Sequence, residues 1–390
     1  MLKQIRLQLV LSILVVAALV AVIVTLISTG NATRSLILFC YSLTWFAVSA
    51  SLANGQRFVQ NRQATLRRQI KAVSAISFPA SELPQSPKAC EIPRIVNAFS
   101  VDLEDYFHTE VAAQTVVWSQ WDEMPSRLKH TVPRLLELLD DTQTRGTFFV
   151  LGWIAEKYPE MVREIAEYGH EIACHSYRHL PVFRMTPQAF AEDTRIARIL
   201  IEDAVGREVL GYRAPCFSIT PGTEWAFDIL SELGFQYDSS INPVRHFLYG
   251  NPHAQRHPHF VGRHGLFEIP VATWRAGRTN LPIGGGAYLR ILPYRYNERG
   301  LQSINQREKL PATLYMHPWE IDEEQPDLAL PFVSTLRQRF GTGAMERRLR
   351  RLLTAHRFAP IAEVYAGSIP GLPNTPLPNQ KYVTQVVVAS

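Results

Sequence analysis

Two apolar runs open the chain. Residues 7–28 are apolar apart from early interruptions at Gln8 and Ser12, and residues 36–53 form a second run after a short link at 29–34. About 20 apolar residues suffice to cross a bilayer as a helix, so the pattern predicts a hairpin of two transmembrane helices over residues 1–55. The first run is too long for the apolar core of a signal peptide, and a second run follows it. Residues 56–94 turn polar, with Pro79, Pro84, Pro87 and Pro93 late in the stretch. They read as a basic juxtamembrane segment running into a linker.

After Pro93 the pattern changes again. Short apolar runs at 95–101, 146–151, 171–174, 209–212, 235–238, 266–271, 312–316 and 358–361 predict strands. Between them, helical periodicity marks 132–139, 159–168, 186–205, 223–233 and 343–356. Pro159 and Pro187 suit helix starts, and Gly169 and Gly234 suit stops. Alternation of this length predicts a parallel α/β fold over residues 95–390. Polar candidates stand just past the C-terminal ends of several different strands. A barrel rim uses many strand ends at once, so an incomplete (β/α) barrel fits better than a doubly wound sheet.

Charge sharpens the topology. Eight Lys/Arg and no Asp/Glu occur in residues 1–80. With 40 basic and 35 acidic residues in all, the remainder has a formal net charge of −3. The basic character therefore belongs to the N-terminal segment, and a nucleic-acid-binding role loses its support. Basic residues flank the outer ends of both apolar runs, which places the N-terminus and the domain after residue 55 on the cytoplasmic side of an inner membrane. Four cysteines (Cys40, Cys90, Cys174, Cys216) show no paired spacing and read as free thiols.

The candidate chemistry is carried by short motifs. His175 and His179 are four apart, a spacing that sets both rings on one face of a helical turn and suits a shared metal ion. Asp102, Glu104 and Asp105 end the first strand, Arg213-Ala-Pro215 follows another, Asp238 a third and His317 a fourth. In this order the set resembles the family 4 carbohydrate esterases, the NodB-type polysaccharide deacetylases. The strings Ser-Val-Asp-Leu-Glu-Asp-Tyr-Phe, Gly-Thr-Phe-Phe-Val-Leu-Gly-Trp, Tyr-Asp-Ser-Ser and Gly284-Gly285-Gly286 resemble more narrowly the deacetylases of exosortase-type exopolysaccharide clusters. The resemblance implies an N-deacetylase, acting on an N-acetylated polysaccharide or a lipid-linked oligosaccharide, with other polysaccharide-biosynthesis proteins as partners.

Two imidazoles and one carboxylate form a site with an open position, best suited to Zn2+, with Co2+ or Ni2+ as alternatives. Asp102 is the expected base. Glu104, two residues on and facing the same way, is the expected ligand, with Asp105 as its substitute or as a cap of the next segment. His317 is the expected acid toward the leaving amine. By the resemblance, Arg213 orients the base, Asp238 pairs with His317, and the Cys216 amide after Pro215 faces the oxyanion. Trp319 is a candidate sugar platform. Histidines 246, 253, 257, 259 and 264 fall in one loop that reads as an active-site cover, with His246 toward the substrate. A cyclic-amide hydrolase of the allantoinase type and an inactive carbohydrate-binding subunit are the rival expectations.

Overall fold

The strand β1 (Val96–Leu103) is buried on both faces, as befits the centre of a parallel sheet. It belongs to a computed structural model that describes residues 95–246 and 249–372, all within the compact unit Glu91–Ser390. The two expected membrane helices and the juxtamembrane segment lie outside the described residues. Among the described residues, no helix is long and apolar enough to cross a membrane.

From β1 the chain alternates as its periodicity predicts. Helix α1 (Leu128–Asp141) leads to β2 (Thr147–Val150). Helices α2 (Gly152–Lys157) and α3 (Pro159–Glu167) lead to β3 (Glu171–Cys174). Helix α4 (Pro187–Val205) begins at Thr186, whose hydroxyl accepts the Ala189 amide at 3.2 Å, and ends at Gly206 in the left-handed region (φ 67°). Then come β4 (Gly211–Tyr212), α5 (Trp225–Glu232), β5 (Tyr237–Asp238), β6 (His259–Val261) and β7 (Leu266–Glu268). The C-terminal third adds the hairpin of β8 (Thr273–Ala276) and β9 (Thr279–Pro282), then α6 (Gly286–Ile291) and α7 (Tyr294–Ser303). It closes with β10 (Thr313–Met316), α8 (Phe332–Arg339), α9 (Thr342–Ala355), β11 (Arg357–Ala359) and α10 (Ile361–Val364).

The main sheet runs in the order β10-β1-β2-β3-β4-β5-β7-β6, with β11 also pairing the start of β1. Every pairing is parallel except β6 with β7. The end strands β10 and β6 do not pair with each other, so the curled sheet stays an open half-barrel. The hairpin β8–β9 and helices α6, α7 and α8 are not marked by the sequence periodicity.

Strand alternation sorts side chains onto two faces. Phe99, Val101, Leu103, Phe148, Leu314 and Met316 pack in the outer core with the helices. Ala98, Phe149, Ala173 and Tyr237 point to the concave side, where Ile361, Val364 and Ile369 fill the bottom. On β1 the concave parity continues through Ser100, Asp102 and Glu104. On β10 it continues through Tyr315 to His317. Period two thus delivers acid, carboxylate and histidine to one rim.

Candidate active site

Four strand ends build the site. Past β3 the chain is not helical at His175–His179, contrary to the expected helical turn. Ser176 and His179 instead adopt positive φ (64° and 53°), which curls the segment back on itself. The turn is held by the His179 amide on Ser176 Oγ (3.1 Å) and the Tyr177 amide on Asp193 Oδ2 (2.8 Å). Both imidazoles then face Glu104. Its Oε1 lies 3.2 Å from His175 Nε2 and 3.0 Å from His179 Nε2, and all three residues are buried.

The donor set fits a cation. His175 Nδ1 lies 2.7 Å from the Arg213 carbonyl oxygen, which can only accept, so Nδ1 carries the proton. A neutral His175 therefore turns the lone pair of Nε2 toward a carboxylate oxygen, an arrangement that repels unless a positive charge sits between them. Two such nitrogens and one oxygen suit zinc, and equally cobalt or nickel. Burial raises the Glu104 carboxyl, but the positive charge around it, led by His179 and His317, outweighs it and holds the group well below the usual carboxylate range.

Asp105 is not part of this cluster, which corrects its expected ligand role. Its carboxylate accepts the Tyr106 amide (2.9 Å), the Ser126 hydroxyl (2.7 Å) and the Arg127 amide (2.8 Å), and so ties the strand end to the start of α1. Adjacent strand residues face opposite ways, so Asp105 cannot share the side of Asp102 and Glu104.

Asp102 Oδ1 accepts Arg213 Nη1 at 2.6 Å. The buried guanidinium also donates to Ser100 Oγ (2.8 Å), Ser239 O (3.1 Å) and Ser239 Oγ (2.9 Å), and lies 4.1 Å over the Phe149 ring. Four of its five N–H donors are thus engaged, and Asp102 Oδ2 is left facing His317 Nε2 at 3.8 Å.

His317 has a partner other than the expected one. Its Nδ1 lies 3.2 Å from Glu320 Oε2, and its backbone amide donates to the same oxygen at 3.1 Å. Glu320 Oε1 in turn accepts Arg290 Nε at 2.8 Å, with both side chains almost wholly buried. Desolvation works against the imidazolium, but Glu104, Glu320 and Asp102 prevail and push His317 up to about 9.

Asp238, expected beside His317, stands elsewhere. Tyr237 occupies the concave face of β5, so Asp238, next along, faces away and pairs in register with Glu268. Asp238 accepts the Ser240 hydroxyl (2.6 Å), whose oxygen accepts the Ala214 amide (2.8 Å), and so supports the loop after Arg213. Burial raises both Asp238 and Glu268, Glu268 well above its usual range with Asp238 adding to the effect.

A cleft of about 580 Å³ opens onto these groups, and Asp102, Glu104, His179, Cys216, His317 and Trp319 line it. Cys216 and Phe217 take positive φ (56° and 51°), and the turn uses the amides of Phe217 and Ser218 (to Ala214 O and Pro215 O). Trp319 stacks on His317 (5.3 Å, 20°), and its buried indole N–H has no partner among the described residues. His246 does not line the cleft itself; it stacks on Tyr249, which does (3.8 Å, 19°). The sequence reading missed Glu320 and Arg290. A signal existed for Glu320: it stands three residues after His317 across a proline, the spacing of a reciprocal cap. Nothing local marks Arg290, thirty residues upstream.

Residues 110–237 match the polysaccharide deacetylase family, and residues 239–366 match a domain of unknown function (DUF3473). Over 111 residues the chain is 32% identical to a peptidoglycan deacetylase of Helicobacter pylori, covering 28% of this chain and 36% of that protein. Over 89 residues it is 34% identical to a peptidoglycan-N-acetylglucosamine deacetylase of Bacillus cereus, covering 23% and 30%. The matched stretches thus span about a third of these relatives. A crystal structure from Mycobacterium smegmatis, provisionally assigned as a polysaccharide deacetylase, overlays with a TM-score of 0.47 at 22% identity, covering 76% of this chain and 99% of that one. The likeness to polysaccharide deacetylases by family model thus covers one segment of the chain, residues 110–237. His175, His179 and Arg213 lie in that segment and His317, Glu320 and Arg290 in the second match, while Asp102 and Glu104 precede both.

Proposed function

We propose that this protein is a divalent-metal-dependent deacetylase that hydrolyses the N-acetyl amide of amino sugars in a polysaccharide or its lipid-linked precursor, in exopolysaccharide biosynthesis. The observation that carries the reading is the convergence of Glu104, His175 and His179 beside Asp102 and His317 in one cleft. When bound, a metal ion such as Zn2+ supplies Lewis acidity toward the amide oxygen and acidifies a bound water.

The chain's own groups do the rest. Asp102 offers Oδ2 to take the proton from the attacking water, while Arg213 fixes its other oxygen. His317, protonated at neutral pH, donates from Nε2 to the departing amine nitrogen as the C–N bond breaks, which releases acetate and the free amino sugar. Glu320 holds the opposite ring nitrogen and so fixes the direction of that donation. Cys216 offers its amide to the oxyanion, and Trp319, its ring stacked on His317, lines the same cleft. The apolar runs at 7–28 and 36–53, with their basic flanks, support an inner-membrane location with the catalytic domain on the cytoplasmic side.

The deciding experiment is acetate release by the full chain from an N-acetylglucosamine oligomer, before chelation, after it, and after zinc is restored. Activity lost on chelation and regained with zinc is expected. His175→Ala should bind no zinc and release no acetate, and Asp102→Asn should keep the zinc while losing roughly 10²–10⁴-fold in rate. Undiminished activity in His175→Ala would rule the reading out.

A further inference from the structure

Helix α8 is inside out. Gln338, its buried residue, is polar: its amide nitrogen donates to the Tyr106 carbonyl (3.1 Å), and its amide oxygen accepts the Thr109 hydroxyl (3.4 Å). Phe332 is 81% exposed, Val333 74% and Leu336 50%, and Phe340, one residue past the helix end, is 52% exposed. At 100° per residue these four fall on one side, opposite Gln338. Ile291, beside Arg290, adds a fifth apolar side chain at 40% exposure. A helix that faces only water buries its apolar side, so a contiguous exposed stripe of this kind marks a contact surface.

The fold holds this stripe firmly. Arg290 donates to the carbonyls of Arg337 (3.2 Å), Gln338 (3.2 Å) and Phe340 (2.6 Å), so the C-terminal end of α8 is clamped by a buried guanidinium. The same guanidinium holds Glu320, which holds His317. Arg337, Gln338, Ile291 and Leu292 line the catalytic cleft, so the stripe borders its mouth.

Charge selects the partner. On α8 itself the charged residues are Arg337 and Arg339, the latter paired with Asp327 just before the helix, and no acid stands on it. Apolar side chains beside basic ones on a helix without acids are the composition of an interfacial helix on an anionic membrane. The chain also carries two apolar runs of membrane-spanning length. We infer that α8 docks on an anionic bilayer surface, with Phe332, Val333, Leu336 and Phe340 seated at the boundary of headgroups and acyl chains. The docking stands on these observations alone. That it brings the cleft mouth to a lipid-carried glycan rests on the function proposed above.

The test uses the full chain in nanodiscs of phosphatidylcholine and phosphatidylglycerol, with or without bromine on the acyl chains. Phe332→Trp and Leu336→Trp each add an indole whose emission is the difference from wild type. Both added emissions should be strongly quenched by brominated lipid, whereas Phe260→Trp, on the exposed edge strand β6, should not be. Equal emission in the two kinds of disc overturns the inference. A blue shift without quenching also overturns it, because it shows that protein, a second copy or another segment of the chain, covers the stripe. Acetate release is then compared between Phe332→Ser and wild type. A loss confined to lipid-linked substrate, with a soluble oligomer unaffected, is expected. No acetate from either substrate would remove the proposed function and leave the quenching result standing.

Discussion

Glu320 and Asp238 divide between them what one acid was expected to do. Glu320 touches both the ring and the amide of His317, while Asp238 props the loop after Arg213 through Ser240. Glu320→Gln should therefore lower kcat by roughly 10²-fold, the lower end of what a positioned proton donor contributes. Its pH profile should change as well. Facing carboxylates raise His317 to about 9, so removing one of them should move the alkaline limb to lower pH. Asp238→Asn should leave that limb in place. A pH–rate profile of the two variants decides between them, and an unmoved limb in Glu320→Gln would remove Glu320 from the proton path. His170 carries a second pH effect, away from the site. Its Nδ1 accepts the Gly146 amide at 3.2 Å, and burial, with help from Arg145, lowers it to about 4. The unfolded chain protonates near the ordinary value of about 6.5 and the folded chain only near 4. Between these values the unfolded state binds more protons, so stability falls with falling pH by up to ~1.4 kcal/mol per unit. His170→Asn, which keeps an acceptor but does not titrate, should flatten that slope in urea titrations.

At the scale of elements, Asp105 shows how one strand end serves two purposes. Asp102 and Glu104 face the concave rim, while Asp105, of opposite parity, joins β1 to the first turn of α1. Asp105→Ala should cost about 1 kcal/mol, the usual loss when a cap-type carboxylate is removed. Zinc stoichiometry should stay unchanged, as denaturant melts and metal analysis on one sample would show. The elements hidden from periodicity share a cause. Helix α8 carries apolar residues outward and a polar one inward, the reverse of the pattern used to find helices. The His175–His179 turn uses positive φ at two residues other than glycine, and only surrounding structure makes that tolerable.

For the whole molecule, the boundary between the two family matches is not a boundary in the fold. β10 lies in the second match, yet it pairs along β1, which precedes both, from Ala98 to Val101 and delivers His317 to the rim that holds His175, His179 and Arg213 of the first. Residues 91–237 alone would leave that edge of β1 unpaired and expose Phe99 and Val101, which pack in the outer core. This fragment should show no cooperative thermal transition, and a sharp one by calorimetry would prove the two halves separable.

The sequence by itself determined the alternation of strands and helices, the open half-barrel class and the rim position of Asp102, Glu104, His175, Arg213 and His317. These follow from periodicity and from where polar residues end apolar runs, both of which are local. Tertiary structure alone decided which acid partners His317, that Asp105 turns away, and that Asp238 pairs with Glu268. Those outcomes depend on strand parity and on contacts across many residues, such as Arg290 with Glu320 or Arg213 with Asp102. A carboxylate's role is set by which cation the fold brings to it, and that cation is seldom its neighbour in the chain.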